Sequence, residues 1–293
     1  MMQWRKNTMG MKEPFVSEIA PDTFAINEYG LDAIYLLVGS ERALVIDTGS
    51  GAFDLKGLVE SLTDKPYDVV LTHGHIDHAG GMRQFSDIYL NKNDLEMACS
   101  INQDEVKNYL DMLGKMGGYE AYDYTVDSLR NFDGEPNFHF INDGYVFNLG
   151  DRRIIGYSIP GHTPGGMVFL DRKNRILFSG DCCNVNLLIG GVSGGSSVTT
   201  TLRAIRRVIA LQDEFDQNFN GHIGYAGLPN CFSQPKSVPQ DLEWICEAIL
   251  QHKITPHKVS FLGKNFMQAE HGSARLSYNP DRLLDPGEEP IKV

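Results

Sequence analysis

Long apolar runs are missing from this 293-residue chain. Nothing in it approaches the ~18 consecutive apolar residues of a membrane-spanning helix, which speaks against that kind of anchor. The opening stretch, Met1 to Met11, is polar, carries Arg5 and Lys6, and has no apolar core of a secretory signal. Cysteine is scarce and unorganised: Cys99, Cys182, Cys183, Cys231 and Cys246 make an odd set of five with no C-x-x-C pair. That usage fits reduced thiols in a cytoplasm better than a disulfide framework. Positive charge is also in short supply, since 26 Lys and Arg against 38 Asp and Glu leave a net charge of −12. An extended phosphate backbone is repelled by such a protein on average, which lowers the case for nucleic acid as a partner. These absences predict a soluble, cytoplasmic protein that acts on a small molecule. A homo-oligomer is compatible with the composition.

What is present concentrates in residues 68–81, Asp-Val-Val-Leu-Thr-His-Gly-His-Ile-Asp-His-Ala-Gly-Gly. Val69, Val70 and Leu71 form an apolar run of the length a buried strand needs. It is followed at once by His73, His75, Asp77 and His78, with Gly80 and Gly81 behind them. Strand alternation would turn His73, His75 and Asp77 to one face and His78 to the other, so a loop is the expected carrier of all four. Imidazole and carboxylate together suit zinc or iron far better than calcium or magnesium.

Around this stretch the chain alternates short strands with helices. Ala33–Val38 and Ala43–Ile46 read as strands joined by a hairpin turn, after weaker alternation over residues 14–29. Phe53, Leu55, Leu58, Val59 and Leu62 repeat at helical spacing, and Pro66 closes that helix. Residues 92–130 break the rhythm with two helical patterns, then Gly114, Gly117 and Gly118 and the aromatic trio Tyr119, Tyr122 and Tyr124. They read either as a helical insertion packed on the sheet or as a lid over a site. Strands are predicted again at 138–141, 145–149, 154–159, 167–170 and 176–179, with amphipathic helices over 202–211 and 242–250. Residues 274–278 could add one strand. No linker separates a second domain, so residues 1–293 read as a single unit.

Three further ligand-type residues recur in similar settings. His162 sits in Pro160-Gly161-His162-Thr163-Pro164-Gly165-Gly166, Asp181 ends the apolar run Leu177-Phe178-Ser179-Gly180, and His222 follows Asn220-Gly221. Each is an apolar strand, then glycine, then a metal-capable side chain, and active sites of layered α/β folds gather at such strand ends.

The H-x-H-x-D-H stretch after a strand, followed in order by His162, Asp181 and His222, resembles the metallo-β-lactamase-fold hydrolase superfamily. The resemblance spans roughly residues 30–225. It implies a four-layer αββα sandwich with the helical insertion. It also implies two divalent metal ions, zinc first, with iron or manganese as alternatives. His73, His75 and His162 would hold one ion, Asp77, His78 and His222 the other, and Asp181 would bridge them. Asp47, at the end of a strand, would support the metal loop from behind. Two ions about 3.5–4 Å apart lower the pKa of a shared water towards 7, and the bridging hydroxide would attack an electrophilic centre, with Asp77 orienting it. No serine or cysteine nucleophile is needed, and Cys182 and Cys183 read as packing. His139, His252, His257 and His271 lack any such context.

The expected activity is hydrolysis of a carbonyl compound: a thioester, lactone or other ester. True metallo-β-lactamases usually lack the bridging aspartate. A phosphodiesterase or ribonuclease of the same fold is the alternative, with an iron-dependent oxidoreductase behind it. Residues 182–190 contain no lysine or arginine and predict an apolar wall, suited to an acyl chain. Arg203, Arg206 and Arg207 read as a solvated helix face.

Overall fold

The computed structural model describes residues 14–28, 30, 32–115, 134–190, 195–223, 233–261 and 263–288. Strands β1 (Phe15–Ala20), β2 (Thr23–Glu28), β3 (Asp32–Val38) and β4 (Ala43–Ile46) form an antiparallel meander. Helix α1 (Leu55–Leu62) then crosses to β5 (Tyr67–Val70), which runs parallel to β4. The α1 start is set by Asp54, whose side chain accepts the Gly57 N–H at 2.9 Å, and its Leu55 and Val59 are buried. After α2 (Ile76–Ala79) and a 3-10 turn at Met82–Gln84 comes β6 (Asp87–Leu90). Helices α3 (Leu95–Ser100) and α4 (Gln103–Lys115) precede β7 (Asn137–Phe140), which closes a seven-stranded sheet in simple order from β1 to β7.

The second sheet begins with the antiparallel run β8 (Tyr145–Asn148), β9 (Arg153–Ser158), β10 (Met167–Asp171) and β11 (Ile176–Gly180). Next come β12 (Asn186–Leu188) and α5 (Val198–Ala210), and β13 (Gln217–Asn220) then lies parallel to β11 at the edge. Helix α6 (Val238–Leu250) leads to β14 (His257–Phe261), β15 (Lys264–His271) and β16 (Ala274–Tyr278). These last strands and β12 form a third sheet, in the order β12-β16-β15-β14. The tail therefore holds a sheet where the sequence suggested one strand.

The layers follow from period-two alternation. In β3, Tyr35 and Leu37 enter the core between the two large sheets, while Ile34 and Leu36 enter the core beneath α1, α3 and α4. In β10, Met167 and Phe169 face the first sheet, and Val168 and Leu170 face α5 and α6. Strands buried on both faces read as continuous apolar runs, which is why they stood out. The result is the helix-sheet-sheet-helix sandwich. Among the described residues, no helix is long and apolar enough to cross a membrane.

A buried charged contact helps to tie the two large sheets together. Arg152, 2% exposed in the turn before β9, donates to Asp171 of its own sheet, to Thr23 Oγ1 at 2.6 Å and to the Asp22 carbonyl at 3.0 Å. The other basic groups flagged above lie on the surface: Arg203 pairs with Asp285 and Glu288, Arg206 with Glu243 and Glu247, and Arg207 with Asp143.

Candidate metal centre

The seven sequence-predicted residues come from four strand ends on one rim of the sandwich. Strand β5 delivers His73 and His75 on an extended turn, but Asp77 and His78 lie on α2 rather than in a loop. Two helical hydrogen bonds fold that turn, from the His78 and Ala79 N–H groups to the His75 carbonyl at 3.0 and 2.8 Å. A short helix turns the two later side chains inward as a loop would. His162 lies between β9 and β10, Asp181 follows β11, and His222 follows β13.

Space for this convergence depends on glycine. A Cβ on Gly221 would sit 2.3 Å from His78 Cε1, so the backbone can pass the imidazole only without a side chain. Gly180 combines φ of +48° with a Cβ position 2.5 Å from Thr72 Oγ1.

The distances form two overlapping groups. His75 Nδ1 lies 2.8 Å from His162 Nε2, with His73 beside them. Asp181 Oδ2 lies 2.9 Å from His222 Nε2 and 3.6 Å from His162 Nε2, and its Oδ1 is 3.9 Å from His78 Nε2. Asp77 reaches both His78 Nε2, at 3.9 Å, and His222 Nε2, at 3.7 Å. Asp181 thus stands between the groups. His73, His75 and His162 gather ligand atoms within 4.8 Å of one another, as do His78, Asp181 and His222.

The outward nitrogens are anchored. His78 Nδ1 meets Asp47 Oδ2 at 2.9 Å, His162 Nδ1 meets the Leu188 carbonyl at 2.7 Å, and His222 Nδ1 is 3.3 Å from Asp32 Oδ1. An acceptor behind Nδ1 turns Nε2 inward, and in the neutral, metal-binding form of the ring it leaves the Nε2 lone pair facing the centre. Asp47 also accepts from the Thr72 N–H at 2.6 Å and the Thr72 hydroxyl at 2.8 Å, and it sits at φ +64°. Left-handed backbone is costly for a non-glycine residue, and these bonds hold it there.

Protonation follows the same geometry. Burial and the neighbouring imidazoles push His73 well below the usual range and His75 down to about 3, keeping both neutral. Burial opposes charge on His78 too, but Asp47, Asp77 and Asp181 outweigh it and hold the group up to about 9. Asp181 lies well below the usual carboxylate range, because His222 and His78 overcome its burial. The donor set fits a divalent cation. His73 Nε2, His78 Nε2 and Asp181 Oδ1 are buried with no hydrogen-bond partner among the described residues. Each such orphan costs about 1–3 kcal/mol, which a bound cation would offset.

Four contributors were not found in the sequence. Asp32 opens β3 and reaches His222 because the Ala33 N–H donates to the Gly221 carbonyl at 2.8 Å. Burial raises its carboxyl to about 6. Asp94 joins two ligand loops, accepting from Gly74 N–H at 3.0 Å, Gly165 N–H at 2.6 Å and the Thr163 hydroxyl at 2.6 Å. Tyr109 of α4 donates its hydroxyl to Asp77 Oδ2 at 3.0 Å. Arg275 of β16 lines the cavity beside the centre, which has a volume of about 440 Å³. The wall after Asp181 is also more polar than its sequence suggested, with Asn184 and Asn186 beside Leu188.

The remaining histidines stay outside. His139 pairs with Asp87 on the surface at 2.8 Å, His271 stacks on Trp244, and His252 and His257 are exposed. Cys182 and Cys183 are buried in the apolar core, which pushes the first thiol well up and the second to about 12. Gly117, Gly118, Tyr119, Tyr122 and Tyr124 of the suggested lid, and Cys231, lie outside the described residues.

The family model described as the metallo-beta-lactamase superfamily matches residues 32–214. The chain belongs to that superfamily. A human relative, acyl-coenzyme A thioesterase MBLAC2, is 28% identical over 240 residues, covering 76% of this chain and 81% of its own. Probable metallo-hydrolase YqgX of Bacillus subtilis is 23% identical over 197 residues, 64% of this chain and 83% of the relative. Among solved structures, a metallo-beta-lactamase from Pontibacter korlensis superposes with a TM-score of 0.57 at 18% identity, covering 80% of this chain and 99% of that one. At that identity the likeness is one of fold. With relatives named as a thioesterase and a metallo-hydrolase, the protein is a hydrolase.

Proposed function

We propose that this superfamily member is a dinuclear metal-dependent hydrolase of a carbonyl substrate, with a thioester as the preferred class. The observation that carries the reading is the position of Asp181, within 4 Å of histidines from both groups. His73, His75 and His162 would hold one ion and Asp77, His78 and His222 the second, with zinc the expected metal. Bound there, the metals would supply a water of lowered pKa and a Lewis acid for the carbonyl oxygen. Asp77, steadied by the Tyr109 hydroxyl, is placed to hold the proton that the attacking water gives up. Hydrolysis then forms the new C–O bond, breaks the C–S bond and releases a carboxylate and a thiol. The relative named as an acyl-coenzyme A thioesterase supports the thioester, and the cavity of about 440 Å³ is large enough to enclose the reacting part of such a molecule.

The test is elemental analysis followed by a substrate panel. About two transition-metal ions per chain are expected, with thioesters turned over faster than lactones, β-lactams or bis-p-nitrophenyl phosphate. A fully active enzyme holding one metal would end the dinuclear reading. A phosphodiesterase rate tenfold above every carbonyl substrate would end the choice of substrate class.

A further inference from the structure

The third sheet was absent from the sequence reading, and residues 257–278 lie beyond the stretch matched by the family model. Its two faces differ. Ala274, Leu276 and Tyr278 of β16 and Ala269 of β15 are buried in the apolar core shared with α5 and α6. Alternation therefore turns Arg275, Ser277 and Gln268 to the opposite face, and all three line the cavity that His162, Asp181 and His222 also line. This sheet is thus a wall of the metal-centre cavity.

Arg275 is the one lysine or arginine among the described lining residues. Its position is fixed by the ladder, since its N–H donates to the Val185 carbonyl at 2.8 Å and its Cα is in register with Asn186. Two neutral neighbours on this face satisfy each other: Gln268 Nε2 donates to Ser277 Oγ at 2.8 Å. Most of the described arginines are tied to carboxylates, as Arg152 is to Asp171 and Arg206 to Glu243. Arg275 has no ion-pair or hydrogen-bond partner for its guanidinium among the described residues, although Glu270 stands opposite it in the ladder. Arg275 is exposed, so its guanidinium is open to a ligand entering the cavity that it lines.

We propose that Arg275 is the anion-binding subsite of this cavity, so that the substrate carries a carboxylate or phosphate group apart from its reacting carbonyl. The planar guanidinium fork matches either oxyanion with two parallel hydrogen bonds. The assignment rests on the thioester reading for the identity of the reacting group. It does not rest on that reading for the presence of an anion. A substrate held at both ends would lie along the polar face of the third sheet, with its carbonyl at the His162–Asp181 end and its anionic group on β16. Residues of the metal centre would then supply the chemistry, and the third sheet would select the substrate.

Two substrate pairs and one binding pair test this. The carboxylate arm compares propionyl and succinyl thioesters of N-acetylcysteamine. The phosphate arm compares propionyl thioesters of pantetheine and of pantetheine 4′-phosphate. The protein is expected to favour the charged member of one pair about tenfold or more in kcat/KM, and that pair names the source of the anion. Arg275→Gln should abolish this preference through KM, with kcat and metal content within about twofold of wild type, and Arg275→Lys should retain part of it. The binding arm uses calorimetry with the non-hydrolysable S-propyl thioethers of pantetheine and of its 4′-phosphate, and of N-acetylcysteamine with and without a carboxylate at the end of the propyl chain. If no thioester is turned over, the proposed function falls, and these thioethers still decide the role of Arg275. Equal binding and turnover of charged and neutral members, or a preference that survives in Arg275→Gln, would overturn the proposal.

Discussion

At the scale of single residues, the centre is organised by what stands behind each histidine as much as by the histidines. His222 shows this most clearly, because its outward nitrogen faces Asp32, a carboxylate 1% exposed. Asp32 in turn stands beside Glu28, whose carboxyl is pushed well above the usual range by burial and by Asp32 itself. Glu28 accepts from the Ser50 N–H at 2.7 Å and the Ser50 hydroxyl at 2.9 Å, in the loop that follows Asp47. Asp32 and Asp47, the supports of His222 and His78, thus both stand beside the loop that begins at Asp47. Replacing the carboxylate behind a metal-binding histidine typically costs 10–100-fold in affinity. On the proposed dinuclear reading, Asp32→Ala should weaken binding of the metal ion held by His222 by about that factor, read by competition with a chromophoric chelator. Asp32→Asn, which keeps the shape and one acceptor, should lose less. Equal affinity in all three proteins would show that His222 needs no support from Asp32.

At the scale of elements, the turns that carry the candidate ligands are tied to one another as well as to their strands. Asp94, where a 3-10 turn passes into α3, collects a donor from the His73–His75 turn and two from the His162 loop. The start of the region read as an insertion is therefore part of the frame of the site, and Tyr109 of α4 reaches Asp77 from the same region. Asp94→Ala would leave three buried donors without an acceptor. At about 1–3 kcal/mol for each unsatisfied group, partly relieved by water, a loss of about 3 kcal/mol in unfolding free energy is expected. The same variant should bind metal more weakly, because the two turns would no longer be held in register. Denaturant unfolding of the metal-free protein measures the first effect, and chelator competition the second. A variant as stable as wild type would remove Asp94 from the frame.

At the scale of the whole molecule, the two large sheets pack mostly through apolar side chains, and Arg152 is a buried charged exception. It is buried with Asp171, at 1% and 0% side-chain exposure, and bonds across the sandwich to Asp22 and Thr23. Removing one partner of a buried pair leaves an uncompensated charge, so Arg152→Met should lower stability by about 3–5 kcal/mol. Arg152→Met with Asp171→Leu should recover much of that loss. Urea unfolding of the two variants checks both statements, and a single variant within 1 kcal/mol of wild type would contradict them.

The sequence by itself determined the doubly buried strands, since residues 33–38, 43–46 and 167–170 must be apolar on both faces to lie between layers. It also determined where ligand-type side chains sit along the chain, because His73, His75, Asp77 and His78 crowd behind one strand, and His162, Asp181 and His222 each follow a glycine near a strand end. Local chemistry wrote both signals. Asp32, Asp94 and Arg275 left no such mark: a carboxylate at the start of a strand or helix and an arginine in an alternating strand are common anywhere. Alternation over Ala274–Tyr278 put Arg275 on the face opposite Leu276, but it could not say what that face would look upon. Only tertiary structure decided that, by pairing β16 with β12 and bringing the third sheet alongside the rim where β5, β9, β11 and β13 deliver their ligands. Contacts between residues far apart in the chain depend on which surfaces pack together, and no local pattern records them.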